Sequence, residues 1–336
     1  MKANREPIEC ELAVIGRGMA GMASALFAAN RGLTTVQIGV AGEIIFASGL
    51  LDLLGVFPVQ EKKIWSNPWA GIEALVKEIP EHPYARIKKF EIEAALEELL
   101  SFLEEWGLPY QRREKRNSEM ITPAGTTRQT YCAPQSMWKG IQALEEKPPC
   151  LLIGFQGLKD FSAAQMRQVL KAKWPALRSA CISFPGNSHG GGLVTGDIMA
   201  ESLESSRIRE KLFQAIRPIL GDAESIGMPA VLGLKRVDRI IADLEEQMGV
   251  SVFEIPTLPV SVPGLRLNET FLRGLSQRGV IHFSQERVFQ VDKKAGGNFV
   301  LNIGNTRPQR TVRTKGVVLA SGRFWSRGLL ADRSGI

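Results

Sequence analysis

The chain of 336 residues is long enough for two domains and a large core, and its 44% hydrophobic and 23% charged composition excludes disordered and fibrous classes. A net charge of +7 with a pI near 9.3 points to an acidic partner, an anionic substrate or a phospholipid surface. It does not point to nucleic acid: the one dense run, Gln111 to Arg116, lacks interleaved aromatics and reads as a solvated loop.

The N-terminal residues have no apolar core behind their charges and no cleavage pattern, which points to the cytoplasm. The chain then opens on Leu12-Ala-Val-Ile15, which runs into Gly16-Arg17-Gly18-Met19-Ala20-Gly21 and an Ala-rich stretch ending at Ala29. Apolar run, glycine loop and proline-free stretch predict buried strand, tight turn and helix, the start of a βαβ nucleotide-binding unit. Arg17 and the loop glycines argue against a membrane span here. Gly16 makes the turn, Gly18 admits a pyrophosphate without a Cβ in the way, and Gly21 allows close helix–strand packing. A second strand is expected at Thr34–Ile38, with helix N–H groups facing the phosphates. The acid that should accept from an adenosine ribose is missing, because no Asp or Glu lies between Glu11 and Glu43 and Gly39 ends the second strand. Weak adenosine binding, a mononucleotide such as FMN, a vestigial site, or Glu43 reaching back from the loop all stay open.

Phe46-Ala-Ser48-Gly49 follows, where the small Ser-Gly pair permits close backbone approach to a ligand or makes a simple turn. Helices are expected near 68–79 and 88–106, the second with Phe90, Ile92, Ala95, Leu99, Phe102 and Leu103 on an apolar face; His82-Pro-Tyr84 lies in the loop between them. Thr122 to Thr130 surrounds one cation, Arg128, with turn formers and hydroxyls, and reads as an anion-contacting loop or as a surface hairpin.

Lys147-Pro-Pro149 breaks the chain before a buried strand at Cys150–Gly154, and loop and helix continue to Leu170 as a second small α/β layer. Helices are expected near 197–219 and 235–248, with the apolar run Ile226–Leu234 between them, and a strand at Val252–Ile255. Pro256 to Pro263 reads as a linker back to the first domain. A helix near 267–278 should end at Gly279, followed by a strand to Phe283 and a hairpin around Gly296-Gly297. Val317 to Gly322 is expected as a buried strand ending in Ala320, Ser321 and Gly322, another place for close approach to a cofactor.

His189-Gly-Gly-Gly192 and Ala223-Glu-Ser225-Ile-Gly227 imitate an esterase oxyanion loop and nucleophile elbow, but Ser225 is not set between a buried strand and a helix. The four cysteines, Cys10, Cys132, Cys150 and Cys181, are scattered and read as buried reduced thiols. With only three histidines, His82, His189 and His282, no metal site and no catalytic base is assigned.

These motifs together resemble the B subunit of anaerobic glycerol-3-phosphate dehydrogenase. The resemblance is carried by the Gly16–Gly21 loop, Phe46 to Leu54, His82-Pro-Tyr84, Thr122 to Arg128, Gly154 to Phe161, Met228-Pro-Ala230, Leu258-Pro259 with Gly264 to Leu267, and Val318 to Leu329, in order along the chain. It implies a two-domain α/β fold: a Rossmann-like flavoprotein nucleotide-binding domain from 1–50 and 256–336, with 51–255 inserted as a second α/β cap or partner domain. It also implies FMN or FAD as cofactor, held by Gly16, Gly18, Gly21, Ser48, Gly49, Ala320, Ser321 and Gly322, with Arg128 toward a small anionic substrate. The implied assembly joins a catalytic A subunit and an iron–sulfur C subunit, peripheral on the inner face of the cell membrane. That complex oxidises glycerol 3-phosphate to dihydroxyacetone phosphate and passes electrons to quinone. Members of the family continue beyond Ile336 with a closing cofactor motif, so the C-terminal part of the fold is expected to be missing and the flavin weakly held. A non-catalytic partner-binding subunit with a decayed site, and an autonomous flavoenzyme of another substrate, remain as alternatives.

Overall fold

The computed structural model describes residues 6–40, 43–185 and 195–322. The apolar opening forms strand β1 (Ile8–Ile15), and the glycine loop leads into helix α1 (Met19–Asn30) and β2 (Thr35–Gly39). Helix α2 (Pro68–Glu78) starts where the Asn67 side chain accepts from the N–H groups of Trp69 and Ala70 at 3.0 and 3.4 Å, with Pro68 in the first turn. Helix α3 (Lys89–Glu105) buries Leu99, Phe102 and Leu103, but Phe90 in its first turn stays 61% exposed, under the Lys88 ammonium.

Short strands β3 (Tyr110–Arg112), β4 (Ser118–Ile121), β5 (Thr127–Thr130) and β6 (Cys132–Pro134) come next, then α4 (Gln135–Glu146). The α/β layer follows as β7 (Cys150–Phe155), α5 (Ala163–Leu170), β8 (Leu177–Ile182), α6 (Gly196–Ser202), α7 (Ser206–Leu220), β9 (Ser225–Pro229), α8 (Val237–Met248) and β10 (Ser251–Ile255). Helix α9 (Val262–Gln277) leads to β11 (Ile281–Ser284), β12 (Arg287–Lys293), β13 (Phe299–Gly304) and β14 (Arg310–Leu319).

The chain divides into two units. The first joins the residues up to Ile44 with those from Asn268 onward, and the second is Ile45–Leu267. The first holds a six-stranded sheet in the order β11-β2-β1-β14-β13-β12, in which β11, β2, β1 and β14 are mutually parallel and β12 and β13 close it as an antiparallel hairpin. This is a Rossmann-like sheet, as the βαβ opening leads one to expect. Its β14 is longer than the sequence pattern indicates, because register with β1 runs from Ile8↔Val312 to Ile15↔Leu319.

The second unit holds a parallel sheet in the order β10-β9-β7-β8 over a large apolar core. Gly140 of α4 and Gly227 of β9 keep that core close-packed: a Cβ at Gly227 would come within 2.7 Å of the Leu152 side chain and 2.9 Å of the Phe253 ring, and Gly140 also faces that ring. Glu254 and Arg266 form a fully buried bidentate pair at 2.6 and 2.8 Å, while Glu254 also accepts from the Leu232 N–H and Arg266 donates to the Gly233 carbonyl.

Several elements differ from expectation. The helix expected over 197–219 is two, because the Arg209 guanidinium donates to the carbonyls of Leu203 and Glu204 at 2.8 and 3.0 Å and holds a turn between them. The run 256–263 belongs to the second unit: the Ser261 N–H and hydroxyl donate to the carbonyls of Ile45 and Ala47, and helix begins at Val262 with Pro263 in its first turn. Thr122 to Thr130 is a hairpin turn, closed by Thr122 N–H to Thr126 and by Gly125 at φ +79. Cys132 and Cys150 are buried, with burial pushing their thiols up to about 12, whereas Cys10 is half-buried and Cys181 is exposed on the edge strand β8. No helix among the described residues is long and apolar enough to cross a membrane.

Candidate functional site

The glycine loop lies at the carboxyl ends of the parallel strands of the first unit, where ligands of such sheets bind. Gly16 (φ +123) donates its N–H to Ile38 at 2.8 Å, and a Cβ there would run into the Ala320 carbonyl. Ala320 in turn donates to Ile15 at 2.7 Å. Gly21, one turn into α1, faces the Gly16 carbonyl with no room for a side chain and lies 3.6 Å from the Ala320 Cβ, measured from an ideal Cβ. The parallel pairing of β1 with β14 thus brings Gly16, Gly21 and Ala320 together, with Ser321 and Gly322 directly after them.

Gly18 is different. It is the N-cap of α1 with extended backbone, and a Cβ there would meet nothing within 4 Å. Helix α1 has no side-chain cap and no acid in its first turn. Its first N–H groups and positive dipole end are therefore available to an anion, with Gly18 leaving the approach clear. The buried Ser321 hydroxyl has no hydrogen-bond partner. These features fit the pyrophosphate part of a dinucleotide. The ribose end does not follow the usual pattern: β2 ends at Gly39, and the Glu43 side chain lies outside the described residues.

Three side chains at this edge escape a reading of the sequence. Gln37 is fully buried and donates from Nε2 to the Gly16 carbonyl at 3.1 Å; its Oε1 is 3.0 Å from His282 Nδ1, since β11 pairs in parallel with β2 and sets His282 opposite Gln37. The amide oxygen only accepts, so Nδ1 carries the proton and His282 Nε2 is left without a partner. Burial first, then the nearby Arg17 charge, pushes His282 down to about 4. Arg17 itself is 5% exposed, its Nε makes no hydrogen bond, and burial lowers its pKa. The only sequence signal for this trio is Arg17's place between two loop glycines; the alignment of Gln37 and His282 needs the strand register.

The other expected site residues lie in the second unit. Gly49 (φ +87) is packed against Pro134 and Pro263, a Cβ there lying 3.1 and 3.0 Å from their side chains, and its carbonyl accepts from the Tyr110 hydroxyl at 2.7 Å. Ser48 Oγ accepts weakly from the Leu50 N–H at 3.4 Å. The same segment is held by the Tyr84 hydroxyl on the Leu53 carbonyl at 3.0 Å, while His82 Nδ1 caps the turn through the Tyr84 N–H. Gly49 and the His82-Pro-Tyr84 motif thus have a packing reason of their own. Arg128 lines a cavity of about 400 Å³ with Asp52 and Glu119, and its guanidinium is ion-paired with Asp52. Acid and base share that cavity.

Ser225 begins strand β9 and is buried, so it occupies no nucleophile elbow; His189–Gly192 and Arg323–Leu329 lie outside the described residues. Among the described residues no three His, Cys, Asp or Glu side chains come together as a metal site.

Comparison with known proteins bears out the resemblance drawn from the motifs. The chain is 28% identical over 342 residues to the B subunit of the probable anaerobic glycerol-3-phosphate dehydrogenase of Halobacterium salinarum, covering 98% of this chain and 78% of that protein. It is 27% identical over 335 residues to the B subunit of the anaerobic glycerol-3-phosphate dehydrogenase of Actinobacillus pleuropneumoniae, covering 96% and 76%. Among solved structures, 3-ketosteroid delta1-dehydrogenase from Sterolibacterium denitrificans aligns at 13% identity and a TM-score of 0.41 over 93% of this chain, which spans 47% of that one. The sequence profile of the FAD binding domain family matches residues 11–335, and the chain belongs to that family.

Proposed function

We propose that the chain is the flavin-binding, electron-transferring subunit of a glycerol-3-phosphate dehydrogenase complex. The observation that carries this is the Gly16–Ala320 contact with Gly18 open in front of the uncapped start of α1, in a chain related over nearly its whole length to B subunits of that enzyme. Gly16, Gly18 and Gly21, with the α1 N–H groups, would hold the phosphates, and Ala320, Ser321 and Gly322 would border the cofactor on the β14 side. When bound, the flavin supplies two-electron oxidation coupled to onward transfer of single electrons. The first unit is then the nucleotide domain, and the second serves recognition of partners or substrate. Arg128 serves an anionic substrate only if its pairing with Asp52 is released.

FAD is the cofactor that family membership supports. FMN is a second reading, favoured by Gly39 at the position of the ribose acceptor, since a mononucleotide has no adenosine to hold. The same kinship supports partner chains, which in this reading are a catalytic and an iron–sulfur subunit at a membrane face.

The test is purification from the native host under anaerobic conditions, with chromatographic and mass identification of flavin released on denaturation and of co-purifying chains. Released FAD or FMN together with dehydrogenase subunits supports the proposal and distinguishes the two cofactors. A colourless chain that takes up neither flavin, alone or with its partners, overturns it in favour of a partner-binding subunit with a decayed site.

A further inference from the structure

Arg17 is a buried cation that has no anion among the described residues. It is 5% exposed, its Nε is unsatisfied, and no carboxylate among the described residues pairs with it. A guanidinium out of water costs several kcal/mol unless an opposite charge or full hydrogen bonding compensates it. The neighbouring titratable group does not compensate it, because His282 is the other base at this edge and is held neutral.

The placement of this cation is specific. The Arg17 stem lies 3.1 Å from where a Cβ of Gly39 would be, and the Arg17 backbone nitrogen lies 3.3 Å from the same point. A side chain at the end of β2 would therefore crowd Arg17. Gly39 and Arg17 occur together: the strand end that ordinarily carries a carboxylate acceptor for a ribose is bare, and the stem of a cationic side chain from the glycine loop lies against it. The start of α1, two residues on, presents N–H groups and a positive dipole end with Gly18 clear of obstruction. The two features combine into one electropositive site.

Resting on the nucleotide-site reading above, we infer that Arg17 is the anion-selecting residue of that site: it replaces the ribose acceptor with a donor and pairs with a phosphate of the bound nucleotide. Recognition by a planar fork of donors suits a phosphate oxygen pair. Two phosphates lie within the chemistry this describes, the 5′-pyrophosphate of an adenine dinucleotide and a phosphate carried on the ribose itself.

The experiment compares the wild-type chain with Arg17→Met and Arg17→Lys, using calorimetry and thermal unfolding with FAD, 5′-ADP, 2′,5′-ADP, adenosine and inorganic pyrophosphate as probes. Arg17→Met is expected to bind FAD and 5′-ADP at least roughly tenfold more weakly, to lose most of the salt dependence of binding, and to leave adenosine affinity unchanged. Without ligand it should melt no lower than the wild type, because an uncompensated charge has been removed, and it should lose the rise in melting temperature that pyrophosphate produces in the wild type. Arg17→Lys should recover part of the affinity. Tighter binding of 2′,5′-ADP than of 5′-ADP assigns Arg17 to a ribose phosphate, and the reverse order assigns it to the pyrophosphate. Unchanged FAD and ADP affinity in Arg17→Met overturns the inference while leaving the flavin reading intact. So does an Arg17→Met chain that is destabilised or fails to fold, since Arg17 is then structural. A folded wild type that binds none of the nucleotides overturns both.

Discussion

Gly16 and Gly18 respond in opposite ways to a side chain. Gly16 combines φ +123 with a Cβ position inside the Ala320 carbonyl, so Gly16→Ala should separate β1 from the end of β14 and lower stability by ~3 kcal/mol or more, read by urea unfolding. Gly18 has an extended backbone and empty space where a Cβ would be. Gly18→Val should therefore change stability by only about 0.5 kcal/mol while weakening FAD binding at least roughly tenfold by calorimetry. Equal loss of stability in both variants would remove the case for a phosphate path over Gly18. His282 adds a pH signature. Its folded pKa is pushed down from 6.5 to about 4, so the unfolded chain binds the proton first. Its contribution is fully present above pH 6.5 and is lost as pH falls toward 4. The loss should be about 2 kcal/mol once partial exposure is allowed for. Denaturant titrations at pH 7, 5.5 and 4 should show this slope in the wild type and a shallower one in His282→Asn.

At the scale of elements, the second unit depends on a polar knot inside an apolar core. The Glu254–Arg266 pair joins β10 to α9, and its remaining bonds fasten Leu232 and Gly233, just after β9. Both side chains are essentially inaccessible to solvent. Glu254→Ala should cost ~3–5 kcal/mol, because it leaves a guanidinium buried without its partner. Replacing both residues by Met should cost clearly less than the single change, since no charge is then stranded. A double-mutant cycle in urea checks this, and additive losses would show that the two side chains do not act as a pair. The same knot explains why 256–263 is not a linker: the segment between β10 and α9 is drawn into the second unit by Arg266 behind it and Ser261 within it.

For the whole molecule, the excess of 42 Lys and Arg over 35 Asp and Glu has to be read against many local ion pairs, such as Arg313–Glu9 and Lys315–Glu11. Exposed pairs of this kind contribute little to stability, and the net charge acts through the surrounding field. If the protein works at a membrane face, as proposed above, attraction to anionic lipid should hold it there, since no helix among the described residues is long and apolar enough to cross. Vesicles containing phosphatidylglycerol should sediment the purified chain at low salt and release it at 1 M salt, where the screening length falls to about 3 Å. Retention at high salt with release by detergent would point to apolar anchoring.

Local pattern alone was enough for the βαβ opening and for the glycine turn between its strand and helix, because both rest on neighbours in the chain: apolar periodicity and a glycine loop of fixed spacing. Even Gly39, the missing acid, is visible as a gap in that pattern. What lies beyond the sequence depends on pairing between distant segments. The contact of Gly16 with Ala320, and the register that sets His282 opposite Gln37, exist only once β14 and β11 join the sheet beside β1 and β2. Arg17 reads in the sequence as one more cation in a basic chain. Only the fold buries it and lays its stem against the bare end of β2, because burial is a property of the packed sheet and not of the residue.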